Sequence, residues 1–135
     1  MRGFLLRAQR AVGLQGEIGL RLMHDTEIRE LNRAFRRHDT PTDVLSFPGD
    51  GSGSGYAGDI AISLDTARRQ ARARRHSLDT EIRILLLHAL LHLAGYDHEA
   101  DDGEMRRRER GLRLKLGLPP GLIERTQRRK IKAHG

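Results

Sequence analysis

The stretch DTEIRILLLHALLHLAGYDH, residues 79–98, decides the fold because it predicts one long buried helix followed by a turn. Leucines occur around the whole helical circumference over residues 79–94, which indicates burial on every side rather than along one face. Gly95 stands where a residue with positive φ commonly ends a helix. The rest of a small domain is therefore expected to pack around this central helix.

Two histidines within the apolar stretch and a third just after it are spaced to suit one metal ion. His88 and His92 are four residues apart, so their side chains leave the same helix face one turn apart. Gly95 then turns the chain, and His98 can offer a third imidazole. This H-x-x-x-H-x-x-G-x-x-H spacing is that of the zinc ligands in metzincin peptidases. Three neutral imidazoles leave a fourth position open for water, and one Zn²⁺ per chain is the first choice over nickel, cobalt or copper.

A simpler interpretation treats these histidines as core residues. A single histidine on a leucine-rich helix is usually hydrogen-bonded within the core and binds no metal. Packing does not account for three of them at this spacing, because each imidazole left unpaired there would cost about 1–3 kcal/mol. The pattern therefore favours metal binding.

The position of the catalytic glutamate of metzincins is occupied by Ala89. Without that carboxylate, peptide hydrolysis lacks its proton shuttle, so a metallopeptidase is disfavoured. Phosphodiester cleavage depends less on one residue, because zinc acidifies its water to a pKa of about 7 and RNA offers its 2′-hydroxyl as an alternative nucleophile. The nearby carboxylates that could accept a proton, orient an imidazole or cap the last helix are Asp97, Glu99, Asp101 and Asp102. Asp97 suits the orienting role better than that of the base.

Composition indicates a small basic protein. The chain has 135 residues, enough for one domain, and it has no cysteine, so a metal site must use His, Asp or Glu. No apolar run is long enough to span a membrane and no secretory signal is evident, which fits a cytoplasmic location. A net charge of +7, mostly from arginine, favours a polyanion such as nucleic acid as partner. A GC-rich genome would explain arginine in place of lysine, but not the net excess.

The other periodicities predict a single α+β domain in the order α-β-α-β-β-α-α-α. A small mixed sheet of about three or four strands should pack with about five helices, one of them the zincin-like metal helix. The remaining predicted elements are helices at 2–13, from Asp25, at about 65–75 and at about 102–116, and strands at 16–23, 43–47 and 58–63.

Two amphipathic helices have predicted inner faces. The helix at 2–13 should direct Leu5, Leu6 and Val12 into the core. Asp25 should cap the second helix, which would carry Ile28, Leu31 and Phe35 on one face.

Two basic regions are candidates for contacting RNA. Arg68, Arg72 and Arg75 follow one another at helical spacing, although a solvated face is the commoner role of such a row. The last eleven residues, 125–135, contain five basic side chains and no acid, so the domain is expected to span 1–124 and to be followed by a flexible basic tail. Few aromatic side chains are available for stacking, so contacts to the nucleic-acid backbone should dominate.

Three blocks of the sequence resemble the bacterial YbeY family of rRNA-maturation endoribonucleases. HALLHLAGYDH, at 88–98, resembles that family's H-G-x-L-H-L-x-G-Y-D-H signature. LNRAFRRHDTPTDVLSFP, at 31–48, resembles its L-N-x-x-Y-R-x-x-D-x-P-T-D/N-V-L-S-F-P block, and GDIAIS, at 58–63, resembles its G-D-I-x-I. The likeness runs over about residues 17–117 in the family's order.

The resemblance implies a zinc-dependent, single-strand-specific endoribonuclease that matures the 3′ end of 16S rRNA and acts in late-stage 70S ribosome quality control. It implies His88, His92 and His98 as zinc ligands. It also implies Arg36 as the arginine tied to activity, whose guanidinium would hold the scissile phosphate. The ribosome, ribosomal protein S11 and the GTPase Era are the implied partners, with no role for a membrane.

Three departures from the family pattern are visible. Ala89 replaces the family's glycine beside the metal, and the C-terminal tail is unusually basic. The family's first strand has no counterpart here, so either the sheet lacks an edge strand or the start codon is misassigned. A rival function from another class is a non-catalytic rRNA-binding ribosome-assembly factor with a structural metal.

Overall fold

The computed structural model describes residues 1–36, 42–49, 55–97 and 100–125, and of Arg36 the backbone alone. Its helices and strands are α1 (Arg2–Val12), β1 (Glu17–Met23), α2 (Asp25–Arg36), β2 (Val44–Pro48), β3 (Tyr56–Ser63), α3 (Leu64–Arg74), α4 (Leu78–Leu93) and α5 (Glu104–Leu116). Residues 122–125 add one further helical turn. The order of elements is the predicted one, and the α+β class is confirmed.

The sheet is mixed and, within the described ranges, has three strands in the order β1-β3-β2. β3 pairs in parallel with β1, where Leu20 lies opposite Ile60, and antiparallel with β2, where Phe47 lies opposite Asp59. Ile60 and Ile62 of β3 are buried against the helices, as their alternation predicts. β2 is left as an edge strand, and this edge borders the site described below.

The central position of α4 follows from its leucines. Ten of its residues are buried, and it contacts α1, α3, α5 and two strands of the sheet. Ser77 begins the helix by accepting a hydrogen bond from the Thr80 N–H. Gly95, with φ of 100°, follows the last turn and reverses the chain, as predicted.

The predicted inner face of α1 is wrong in part. Leu6 is 55% exposed, whereas Phe4 and Ala8 are buried beside Val12. Phe4, Ala8 and Val12 recur every four residues, so a small residue completes the stripe. The small side chain of Ala8 therefore takes the inward position, and Leu6 points to solvent.

The role predicted for Asp25 is also wrong, because α2 begins at Asp25 itself. The Asp25 carboxylate instead accepts hydrogen bonds from Ser63, Thr66 and Arg69 at the start of α3, and these bonds hold its pKa below the ordinary value. In return, Asp65 of α3 accepts from the Asp25 backbone N–H at 2.8 Å. Asp65 thus caps the start of α2, while Asp25 bonds side chains at and near the start of α3, an arrangement that no local pattern reveals.

Phe35 was expected on the inner face of α2 but is 68% exposed. Its ring meets the ring of Phe47 edge-on, with centroids 5.6 Å apart. Ile28, in contrast, is fully buried as predicted. The described apolar cluster that contains Ile28 is small, and Phe35 contacts Phe47, which packs against that cluster.

The folded part of the described chain continues through Arg125, the first residue of the predicted tail. α5 begins at Glu104 because Asp101 accepts hydrogen bonds from the N–H groups of Gly103 and Met105. Arg125, assigned to the flexible tail, is buried and makes two 2.8 Å hydrogen bonds to Glu81. The tail prediction for 126–135 lies outside the described residues. Among the described helices, none combines the length and apolar character needed to cross a bilayer.

Candidate metal centre

His88 and His92 bring two ring nitrogens together on one face of α4. Their Nε2 atoms are 3.1 Å apart, and the ring planes meet edge-on with centroids separated by 4.7 Å. Two nitrogens bound to one tetrahedral zinc at about 2.0–2.1 Å lie about 3.3 Å from each other. The spacing of the two Nε2 atoms therefore suits a shared zinc ion.

The other nitrogen of each ring has a partner that can only accept a hydrogen bond. His88 Nδ1 lies 2.9 Å from Glu109 Oε2, and His92 Nδ1 lies 3.1 Å from the carbonyl oxygen of Tyr96. Each neutral ring must then carry its proton on Nδ1 and its lone pair on Nε2. Two lone pairs facing each other at 3.1 Å repel, so this arrangement calls for a cation or a shared proton between them. The donor set fits a metal ion.

Glu109 is a site residue that the sequence analysis missed. It lies on α5 and is 1% exposed, between the buried side chains of Met105 and Leu112. An acid at the centre of a helix's apolar stripe is the signal that could have identified it, since a buried carboxylate requires a partner. A carboxylate behind an imidazole fixes the tautomer and orientation of a metal-binding ring.

The third predicted ligand, His98, lies outside the described residues, as does Glu99. Within the described ranges, no group of three or more acidic, histidine or cysteine side chains is placed to hold a metal. The positive φ of Gly95 and the hydrogen bond from the Tyr96 N–H to Leu91 turn the chain back along α4 just before this position. Coordination by His98 therefore stays a prediction.

The histidine pair opens into a cleft of about 600 Å³ between β2 and the C-terminal end of α4. The described lining residues are Thr42, Asp43, Val44, Leu45, Ser46, Pro48, His88, Ala89, His92, Gly95, Tyr96, Asp97 and Leu122. Asp43 and Asp97 are the acids among them. The Asp43 carboxylate accepts from the Val44 N–H at 2.8 Å, while Asp97 is exposed, and its predicted role as an orienting or proton-accepting group stays a prediction.

The other predicted site residues lie on α2 and α3 or at the end of α3. Arg36 is the last residue of α2, and the structure describes its backbone but not its side chain. Arg68 and Arg72 are exposed on α3, and Arg75, also exposed, ends that helix in the left-handed conformation with φ of 59°. None of these three is among the described lining residues, so a role in RNA binding would lie at a distance from the metal.

Fold and site together define a small α+β protein with a close histidine pair in an open cleft. The family model described as Endoribonuclease YbeY matches residues 4–117. The chain belongs to this family. The resemblance inferred from the three sequence blocks is thus confirmed.

Individual relatives agree over nearly the whole chain. The endoribonuclease YbeY of Koribacter versatilis is 54% identical over 130 residues, which cover 96% of this chain and 84% of the relative. The endoribonuclease YbeY of Solibacter usitatus is 51% identical over 124 residues, covering 92% and 82%. The solution structure of TM1509 from Thermotoga maritima is similar at a TM-score of 0.57 with 30% identity, covering 82% of this chain and 77% of that one.

Proposed function

We propose that this chain is a zinc-dependent endoribonuclease whose metal is held by His88, His92 and His98. The chain belongs to a family of endoribonucleases, so cleavage of RNA phosphodiester bonds is its reaction. Beyond the family's reaction, we propose that the bound metal is zinc. The observation that carries it is the 3.1 Å approach of two Nε2 atoms, each left with its lone pair by the hydrogen bond at its Nδ1.

Zinc at this position would act as a Lewis acid toward a phosphate oxygen and lower the pKa of its water to about 7. The chain's own residues set the conditions for that chemistry. Glu109 and the Tyr96 carbonyl hold the Nδ1 side of the two imidazoles, so that their Nε2 atoms are aimed at one point. The Arg36 guanidinium is proposed to hold the scissile phosphate, and Asp97 to accept a proton or orient an imidazole. Ala89 supplies no proton for an amine leaving group, so a peptidase is not proposed.

Single-stranded RNA is the proposed form of the substrate, and the 3′ end of 16S rRNA and the 70S ribosome are its proposed setting. A net charge of +7 supports a polyanionic substrate. The exposed row Arg68, Arg72 and Arg75 and the basic residues of 126–135 are proposed to contact phosphates away from the metal. Ribosomal protein S11 and Era are proposed partners in the cytoplasm. The catalytic domain is proposed to extend through Arg125.

A non-catalytic rRNA-binding assembly factor with a structural metal is not favoured. Three relatives that the chain matches over 80–84% of their length carry the name endoribonuclease. A structural zinc site is also normally closed by four protein ligands, whereas the proposed set has three and opens into a cleft.

Metal analysis combined with RNA cleavage tests the proposal. Wild-type protein should bind one zinc per chain and cut single-stranded RNA. His92→Ala should lose both properties, because Nε2 of His92 is half of the histidine pair. Arg36→Ala should keep zinc and RNA binding but lose cleavage. His24→Ala is the matched control, since the His24 side chain is 64% exposed and lies outside the cleft lining.

Two outcomes would contradict the proposal. Equal cleavage by zinc-loaded and metal-stripped protein would show that the metal does not contribute. Stoichiometric zinc in His92→Ala would show that the metal is held elsewhere. Loss of zinc from His24→Ala would indicate general unfolding, which circular dichroism distinguishes.

A further inference from the structure

The segment after α5, residues 118–125, forms part of the metal cleft and is called here the C-terminal turn. Leu122 lines the cleft, while Leu118 and Ile123 are buried in the main core. The turn lies beyond the 4–117 region matched by the family model. It therefore contributes a wall of the site from outside the recognised motifs.

Two ion pairs anchor the C-terminal turn to the domain. Arg125 donates two 2.8 Å hydrogen bonds to Glu81, which is fully buried at the start of α4. Arg113 of α5 donates to both carboxylate oxygens of Glu124, at 2.7 and 3.1 Å. The turn is thus fixed to α4 and to α5, the two helices that carry His88 and Glu109.

The turn also contacts the carboxylate that orients His88. Glu109 Oε2 accepts from His88 Nδ1 at 2.9 Å, and Glu109 Oε1 accepts from the Ile123 backbone N–H at 3.3 Å. A Cβ added at Gly121 would lie 2.2 Å from Oε1 and 2.7 Å from Cδ of the same side chain. The φ of Gly121 is outside the left-handed region, so the need for glycine here is one of space alone.

We propose that the C-terminal turn positions the metal ligand His88 by holding Glu109, with Glu109 and Gly121 as positioning residues. The turn donates one hydrogen bond to the Glu109 carboxylate, from the Ile123 N–H. It also places Gly121 against the carboxylate, where a side chain with a Cβ would not fit. A carboxylate held at both oxygens cannot rotate, so it keeps the His88 proton on Nδ1 and the lone pair on Nε2. This inference rests on the proposed function for the identity of the metal.

Two variants disturb Glu109 from opposite sides. Gly121→Ala places a methyl group against the carboxylate and should displace it. Glu109→Gln keeps the side-chain size but replaces one of the two acceptor oxygens with an NH₂ donor. If the remaining oxygen of the glutamine faces His88, its NH₂ group faces the Ile123 N–H, so two donors meet and one hydrogen bond is lost. Gly111→Ala is the matched control, because nothing lies within 4 Å of its added Cβ on the exposed side of α5.

The experiment measures zinc dissociation constants of the full-length chain by competition with a chelator. Gly121→Ala and Glu109→Gln should bind zinc about 10–100-fold more weakly, the range found when a partner of a metal-binding imidazole is lost. Gly111→Ala should match the wild type. A second readout needs no metal: ¹⁵N NMR of the zinc-free protein near pH 8 should show His88 as one tautomer in the wild type and as a mixture in both variants.

The outcomes separate this inference from the proposed function. A wild type that binds no zinc refutes the proposed metal, and the NMR readout still decides whether the turn sets the His88 tautomer. Folded variants with the wild-type zinc constant and a single His88 tautomer overturn the inference. If Gly121→Ala fails to fold, Glu109→Gln decides the same question.

Discussion

The buried ion pair between Glu81 and Arg125 should make the C-terminal turn important for stability. Arg125→Met removes the charge and both hydrogen bonds while keeping much of the side-chain volume. Glu81, which is fully buried, would then lack its principal counter-charge. Breaking a buried pair from one side typically costs about 3–5 kcal/mol.

The lower end of that range applies because two features reduce the loss. His76 Nε2 lies 2.6 Å from Glu81 Oε1 and remains as a partner. Arg125 Nε, in addition, makes no hydrogen bond within the described structure, so the wild-type pair is not fully satisfied. We therefore expect Arg125→Met to lower the free energy of unfolding by about 3 kcal/mol. The double variant Glu81→Gln/Arg125→Met should lose less than the sum of the single variants.

The loss should also depend on pH in a defined direction. Burial acts to raise the pKa of Glu81, but the hydrogen bonds from Arg125 and His76 outweigh it, and the pKa lies below the ordinary value of 4.5. A lowered pKa stabilises the fold above the ordinary value, and that contribution is lost as the pH falls through the lowered pKa. The difference between wild type and Arg125→Met should thus be largest near neutral pH and shrink in acid.

Urea unfolding followed by far-UV circular dichroism measures these differences, provided that the slope of the transition is unchanged. A loss at neutral pH within the about 0–1 kcal/mol typical of exposed pairs would refute the reasoning. So would a loss that grows in acid, since the sign of the Glu81 pKa shift would then be wrong.

Three further predictions concern the core, the close approach of β2 and β3 at Gly58, and a second ion pair. Leu90→Ala should cost about 2–5 kcal/mol in urea unfolding because Leu90 is fully buried, whereas Leu114→Ala, at a side chain that is 59% exposed, should cost little. Gly58→Ala should cost about 1–3 kcal/mol, because φ is 149° and the new Cβ would lie 2.5 Å from a carbonyl oxygen of β2; an unchanged melting temperature would contradict this. The hydrogen bond from Arg113 lowers the pKa of Glu124, so Glu124→Gln should be less stable than wild type above pH 4.5, and the two should converge as the pH falls further.

The predictable part of the fold was the part governed by local periodicity. The leucines of α4, the alternation of Ile60 and Ile62, and the turn at Gly95 each depend on neighbouring residues, and each is confirmed. The errors arise where a distant partner decides. Asp25 accepts hydrogen bonds from Ser63 and Thr66 at the start of α3 instead of capping its own helix, and Phe35 stays exposed beside Phe47 of β2.

The same division holds for the site. His88 and His92 were predictable because four residues on a helix fix their relative position. Glu109 was not, because its contact to His88 spans 21 positions and depends on how α5 packs on α4. Arg125 was misassigned for a related reason: a basic residue at the start of a basic run matches a tail by composition, and only its distant acid Glu81 reveals its burial.

The cleft draws its walls from widely separated parts of the chain: β2, the end of α4 and Leu122 near the C-terminus. During synthesis, the first two pieces emerge from the ribosome well before the third. A growing chain that already folds its histidine helix would still lack the closing wall and the backbone N–H that reaches Glu109. On the proposed function, a chain folded only through α4 would therefore have its histidine pair in place but not the complete cleft around it.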